Sequence, residues 1–210
     1  MLEKINFFNL TLMIIPVLMA LTGHEFAHAW AAHRLGDDTA KQAGRLTVNP
    51  LAHLDLLGTA FLLISQLFGW AKPVPVNPRN FSRPNRDLAL VALAGPGLNI
   101  FSALALGLAL KIAFQAGLFD QTSPDSPLFH IINLIVLINL ALGVFNLLPL
   151  PPLDGFQILA AFLPQSWTRF LANRSYNLIF LVIFVAMAYL GVFSHLINHL
   201  AFHLFHAIYS

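Results

Sequence analysis

The sequence predicts an all-α, polytopic membrane protein: a bundle of about four to six transmembrane or re-entrant helices, with short β segments in the loops around 44–49 and 72–77. Three observations carry this expectation. The 210-residue chain is 58% hydrophobic and 10% charged, with a mean hydropathy of +0.74, whereas a soluble domain of average composition is about 25% charged. Its apolar residues gather into runs of about twenty or more, the length that crosses a hydrocarbon layer about 30 Å thick. Its charged residues gather in the segments between those runs. The length suits a single membrane-embedded domain over 1–210, with core helices at 5–35, 88–116 and 128–148 and C-terminal helices within 166–209. There is no cysteine, so disulfides are excluded and any metal site must use His and carboxylate. The net charge of +2 comes without a basic stripe, and no nucleic acid partner is expected.

The first run, Ile5 to Leu35, would be roughly 45 Å long as one helix. Pro16 and Gly23 are places for it to kink, and its far end should emerge near Arg34. It follows Glu3 and Lys4 and lacks a small-residue cleavage site, so it reads as part of the working protein and not as a signal peptide. Gly36 to Asp55 is the longest polar segment. Within it, Gly44 to Asn49 alternates apolar and polar residues as a short strand would, up to Pro50. Leu56 to Gly69 is apolar but about 21 Å long as a helix, which suits a re-entrant or shallow element. Ala71 to Asp87 is the most basic loop, with Lys72, Arg79, Arg83 and Arg86. The alternate prolines of Lys72 to Asn77 fit an edge strand or a polyproline-like segment.

Leu88 to Ala116 and Leu128 to Leu148 are full spans joined by an acidic loop, 117–127. The stretch Pro149 to Gly155 breaks the second span ahead of a short helix, Phe156 to Leu163. Arg169 and Arg174 precede a last span from Tyr176 to Phe193 and an amphipathic stretch from Ser194 to Tyr209. Counting basic residues puts loops 36–55, 71–87 and 165–174 on the cytoplasmic side and loop 117–127 outside. That parity requires Leu56 to Gly69 not to cross.

The chemistry centres on His24-Glu25-Phe26-Ala27-His28. Residues four apart share one helix face, so both imidazoles can reach one ion while the carboxylate lies beside them. Two neutral His at this spacing with an adjacent Glu form the HExxH pattern, in which the pair holds Zn²⁺ and the Glu acts as general base toward water. Nine His in the chain leave room for a chance match, but Glu3 and Glu25 are the sole glutamates. A carboxylate this deep in an apolar run marks a functional position. Zinc held by two His needs a third protein ligand. Asp37, Asp38, Asp87, Asp120 and Asp125 read as solvated loop or helix-end charges. Asp154, isolated among apolar residues, would gain a counter-charge from a cation bound by His24 and His28. Its alternative role is the N-cap of the helix that follows. Asp55 and His53 are the other candidate ligands.

Together, His24 to His28, Gly95-Pro96-Gly97-Leu98-Asn99 and Asn146-Leu147-Leu148-Pro149-Leu150-Pro151-Pro152-Leu153-Asp154-Gly155 resemble, in order, the three signatures of the site-2 protease family of intramembrane zinc metalloproteases. The loop Gly44 to Asp55 is similar to that of the compact prokaryotic subgroup without a PDZ domain. The resemblance implies one Zn²⁺ per chain on His24, His28 and Asp154, with Glu25 activating water and Asn146 positioning or polarising the scissile carbonyl. It implies an endopeptidase cutting in or near transmembrane segments and working in the prokaryotic plasma (inner) membrane, while the basic-loop count puts its active site toward the cytoplasmic side. Its partners would be a transmembrane protein substrate and the lipid bilayer, with homo-oligomerisation left open. An unwound substrate could add to a protease edge strand, for which Arg45, Thr47, Asn49, Val74 and Val76 are the candidates. Asn99 is expected to serve helix packing, and Asn139 either packing or polarisation. His195, His199, His203 and His206 suit the wet face of an interfacial helix, with a second metal site as the alternative. Two rival functions stand beside the protease: a zinc-binding carrier or sensor, and a catalytically silent scaffold that binds membrane proteins.

Overall fold

The computed structural model describes residues 7–65, 71–117, 127–164, 191, 195, 198–199 and 202–203. Six α-helices are formed among them: α1 (Phe7–Arg34), α2 (Thr39–Gln42), α3 (Leu56–Ser65), α4 (Pro84–Gln115), α5 (Pro127–Asn146) and α6 (Asp154–Ala160). The expected span 176–193 and most of the C-terminal helices lie outside the described residues. α4 is the organising element, packing against α1, α5 and α6. Its contact with α5 is built on Ala103, Leu110, Val136 and Leu140, and its contact with the end of α1 on Ala31, Ala32, Phe81 and Val91. The approach of α4 and α5 is close because residue 143 is glycine. A Cβ there would lie 2.7 Å from Ile100 Cγ1 and 3.0 Å from the Pro96 carbonyl oxygen.

The helix ends follow local chemistry. α1 stops where Gly36 adopts φ 106° and the Asp37 N–H reverts to the Ala32 carbonyl at 2.9 Å, a left-handed helix end that an L side chain would strain. α4 begins with Pro84, whose missing N–H costs nothing in a first turn. The Asp87 carboxylate reaches back to accept from the Arg83 N–H at 2.9 Å. Pro16 and Pro96 are accommodated inside α1 and α4 without ending either helix.

An exposed apolar face runs along α4. Phe101, Leu104, Leu108 and Ile112 recur at helical spacing and are 68%, 52%, 59% and 57% exposed. A soluble protein does not leave so long an apolar stripe in water. α4 and the Leu128–Asn146 part of α5 are each long and apolar enough to cross a membrane.

Neither expected β segment forms. Residues 45–49 and 72–77 carry no strand; an isolated antiparallel bridge joins Leu54 to Ala71. Pro73 and Pro75 have no N–H to give a ladder, and the polar groups of the first loop bond locally instead. The Asn49 N–H donates to Thr47 Oγ1 at 3.1 Å, the Leu51 N–H to Asn49 Oδ1 at 3.1 Å, and His53 Nε2 to the Thr47 carbonyl at 2.8 Å. The two basic loops nevertheless share one layer at the end of α1, tied by Lys72 N–H to the His53 carbonyl at 2.9 Å and by Arg45 to the Lys72 carbonyl.

Asp37 and Asp87 correct the expectation of solvated acids, for they are 0% and 5% exposed. Asp37 is the clamp between the loops. It accepts from the Asn77 N–H and the Asn80 side chain, each at 2.7 Å, from the Thr39 N–H at 3.1 Å, and from the Thr39 hydroxyl. Burial works against its ionisation, but these donors to the carboxylate outweigh burial and hold its pKa below the usual aspartate value. A depressed folded value stabilises the clamp above the unfolded pKa of about 3.9 and loses that stabilisation as pH falls through the folded value. Amide-exchange protection at Asn77 should therefore be flat from neutral pH to about 4 and fall only below it. Asp37→Ala should cut that protection at neutral pH by roughly ten- to hundred-fold, the equivalent of about 1.5–3 kcal/mol for a charged hydrogen bond.

Candidate metal centre

Three side chains converge where α1, α4 and the start of α6 meet. His24 Nε2 and His28 Nε2 lie 3.0 Å apart, and Asp154 Oδ2 is 3.0 Å from the first and 3.3 Å from the second. The imidazoles are one helical turn apart with centroids at 4.6 Å and an interplanar angle of 86°. This is the one group of three His or carboxylate side chains among the described residues that could hold a metal ion. His24, His28 and Glu25 are 4%, 8% and 9% exposed.

The tautomers follow from the outward-facing nitrogens. His28 Nδ1 lies 2.7 Å from the Val91 carbonyl, which can only accept. His24 Nδ1 lies 2.7 Å from Asn99 Oδ1. The Asn99 amide is turned that way because its Nδ2 donates to the Ala20 carbonyl at 3.2 Å and to Asn139 Oδ1 at 2.9 Å. Asn139 is oriented in its turn by donation from Nδ2 to the Ile135 carbonyl at 2.9 Å. With both Nδ1 atoms as donors, both neutral rings present a lone pair at Nε2.

Asp154 Oδ2 completes the set. It is buried and no donor reaches it in hydrogen-bond geometry, although two imidazoles lie within 3.3 Å. Three facing lone pairs repel unless a cation lies among them, and two neutral His with a carboxylate form the donor set of a catalytic zinc site. The residues fit the metal.

The backbone makes room for this arrangement at two glycines. A Cβ on residue 95 would stand 2.4 Å from His28 Nε2 and 2.8 Å from His24 Cε1, so any side chain there drives the imidazoles out of place. A Cβ on residue 155 would meet the Leu147 carbonyl oxygen at 2.2 Å. Gly155 thus lets the first turn of α6 press against the end of α5 and deliver Asp154. The N-cap alternative for Asp154 does not hold. It is the first helical residue of α6, Leu153 occupies the cap, and the helix has no side-chain cap bond.

The other candidate ligands are engaged elsewhere. Asp55 accepts from the Gly58 N–H at 2.8 Å and caps α3, while His53 is turned to the Thr47 carbonyl. Asn146 is the last residue of α5, and its Nδ2 donates to the Leu142 carbonyl at 2.9 Å. The edge-strand residues are placed without a strand: Arg45 is buried against Lys72, Thr47 and Asn49 bond within their loop, Val74 is half-buried, and Val76 packs onto the Ala31, Phe81 and Val91 cluster. His195, His199 and His203 are exposed, and the rings of the last two meet edge to face at 4.5 Å. His206 lies outside the described residues. Asn99, Asn139 and Gly95 are the residues that sequence reasoning underrated. The four-residue step from Gly95 to Asn99 signals a shared helix face, but nothing local announces Asn139 as the partner of Asn99, 40 positions away.

Comparison with known proteins agrees with this geometry. The family model described as peptidase family M50 matches residues 12–190. YwhC of Bacillus subtilis, named as a zinc metalloprotease, is 40% identical over 189 residues, covering 87% of this chain and 85% of its own. Rip2 of Mycobacterium tuberculosis, also so named, is 34% identical over 188 residues, covering 87% and 70%. Rip2 of Mycolicibacterium smegmatis is 35% identical over 166 residues, covering 77% and 61%. No solved structure matches the chain significantly.

Proposed function

The chain belongs to peptidase family M50, the site-2 protease family of zinc metalloproteases, and from that premise we propose that it is an intramembrane endopeptidase acting on transmembrane segments of other membrane proteins. The observation that carries this reading is the donorless Asp154 Oδ2 facing two imidazole lone pairs at the meeting of three helices. Zinc held by His24, His28 and Asp154 supplies the Lewis acidity that makes water nucleophilic near neutral pH and polarises a carbonyl. Glu25, on the residue next to a ligand, takes the proton from the attacking water as the new C–O bond forms. It then delivers that proton to the amine released when the C–N bond breaks. The apolar walls of α1 and α4 limit competing water and strengthen each charge interaction at the site.

The substrate must arrive unwound, since carbonyls in a membrane helix are already hydrogen-bonded. Asn146, at the end of α5, is the residue proposed to hold the scissile carbonyl. To do so its amide must leave the Leu142 carbonyl it bonds here, a role in a bound state that costs one intrahelical contact. The shared layer of the two basic loops at the C-terminal end of α1 supports a cytoplasmic placement of that end in a prokaryotic plasma membrane. A zinc carrier would need a series of sites along a path, and the described residues hold one three-ligand group.

The test is reconstitution. Purified protein in liposomes with a single-span fluorescent substrate should release a fragment in a zinc-dependent way. A chelator should stop release, and added zinc should restore it. Persistent cleavage after complete zinc removal would overturn the assignment.

A further inference from the structure

The two metal-facing imidazoles are supported differently. His28 Nδ1 is satisfied by the Val91 backbone carbonyl, which no substitution at 91 removes, whereas His24 Nδ1 depends on the side chain of Asn99. Asn99 is 1% exposed and its amide makes three contacts, so a flipped amide would set Nδ2 against an imidazole N–H and Oδ1 against the Ala20 carbonyl and Asn139 Oδ1. One orientation satisfies every partner. Asn139 inherits its own orientation from the Ile135 carbonyl, so the hydrogens of the relay all run one way, from His24 toward Asn99 at one end and from Asn139 to backbone at the other. A cavity of about 150 Å³, lined by Met19, Gly23, Leu98 and Ile135, abuts both amides. Both amides are nevertheless buried, Asn99 1% and Asn139 6% exposed, and their hydrogen bonds set which way each amide faces.

From this we infer that Asn99 is a positioning residue of the metal centre, holding His24 in the tautomer and ring orientation that turn Nε2 toward His28 and Asp154, with Asn139 fixing the Asn99 amide in turn. The inference rests on the metal reading of His24, His28 and Asp154. The competing account, in which Asn99 only joins helices through the Ala20 carbonyl, makes no demand on metal affinity. Orienting partners of metal-bound imidazoles are worth about 10–100-fold in metal affinity.

The experiment uses the full chain in detergent, stripped of metal and titrated with Zn²⁺ against a chromophoric chelator, then with Co²⁺ to read its visible spectrum. Asn99→Leu keeps the branching and heavy-atom count of the side chain, with bulkier methyl ends, and removes the acceptor. It should bind zinc roughly 10–100-fold more weakly than wild type, with a weaker and shifted Co²⁺ band. Asn99→Asp returns an acceptor to His24 Nδ1 but sets its second oxygen against the Ala20 carbonyl and Asn139 Oδ1, so it should bind zinc more tightly than Asn99→Leu and more weakly than wild type, an order that helix joining alone does not produce. Asn139→Leu, one side chain further from the ligands, should show a smaller loss and decides the matter should Asn99→Leu fail to fold. Wild-type affinity and spectrum in Asn99→Leu, or in Asn139→Leu where that variant decides, would overturn the inference, as would Asn99→Asp binding no better than Asn99→Leu. A wild-type chain that takes up no zinc would instead overturn the metal reading itself, and a zinc-loaded wild type without proteolysis would leave the relay standing.

Discussion

Glu25→Gln is expected to keep its zinc and to lose cleavage of a reconstituted transmembrane substrate, by about 10²–10⁴-fold from removal of the general base alone. The amide has nearly the shape of the carboxylate, so the packing of α1 is kept, and His24, His28 and Asp154 are untouched. What disappears is the group that can hold a proton between water and the leaving amine. Metal analysis and cleavage must be measured on the same preparation. Equal cleavage by the two proteins would remove Glu25 from the chemistry. Loss of zinc from the Gln variant would show that Glu25 acts on metal binding and not on the proton. The inactive, metal-loaded form is also the natural bait for identifying substrates by co-purification.

Asp154→Ala has the opposite signature. It removes the single anionic donor and leaves two imidazole nitrogens 3.0 Å apart, so zinc should fall from about one per chain toward none after gel filtration. The affinity loss should exceed the about 10–100-fold associated with outer orienting partners. Asp154→Asn retains a neutral oxygen of the same shape and should lie between the two. Helicity of metal-free wild type and variant should match, because the side chain forms no cap bond for α6. Zinc content at the wild-type value in Asp154→Ala would exclude it as the third ligand.

The two variants separate what the tertiary structure joins. Cleavage lost at full zinc loading locates the fault in proton transfer, and cleavage lost together with zinc locates it in the ligand set. Both differ from the Asn99 variants, in which affinity falls while all three ligands remain.

Much of this centre could be read from local sequence. Composition leads to the mostly helical fold, because an apolar backbone segment in lipid must satisfy its own hydrogen bonds. The His24–His28 pair needs no tertiary knowledge either, since the helix repeat alone puts residues four apart on one face. Burial cost favoured Asp154, with Asp55 and His53 still standing beside it, for a lone carboxylate among prolines and leucines calls for a cation. The same argument misplaced Asp37 and Asp87. Their polar flanks look solvated in sequence, but folding turns them inward onto backbone and amide donors. Alternation in 44–49 likewise suggested a strand that local Asx and Thr bonding and the facing prolines prevent.

Only the tertiary structure decided among Asp154, Asp55 and His53, and it did so by distance: Asp154 is carried 126 positions along the chain to within 3.3 Å of both imidazoles. It also chose the tautomers, through a carbonyl on α4 for His28 and an amide relay across α4 and α5 for His24. The reason is physical. Periodicity and burial cost are properties of one segment in its solvent and are written locally, whereas which lone pair meets which proton depends on how separate helices pack.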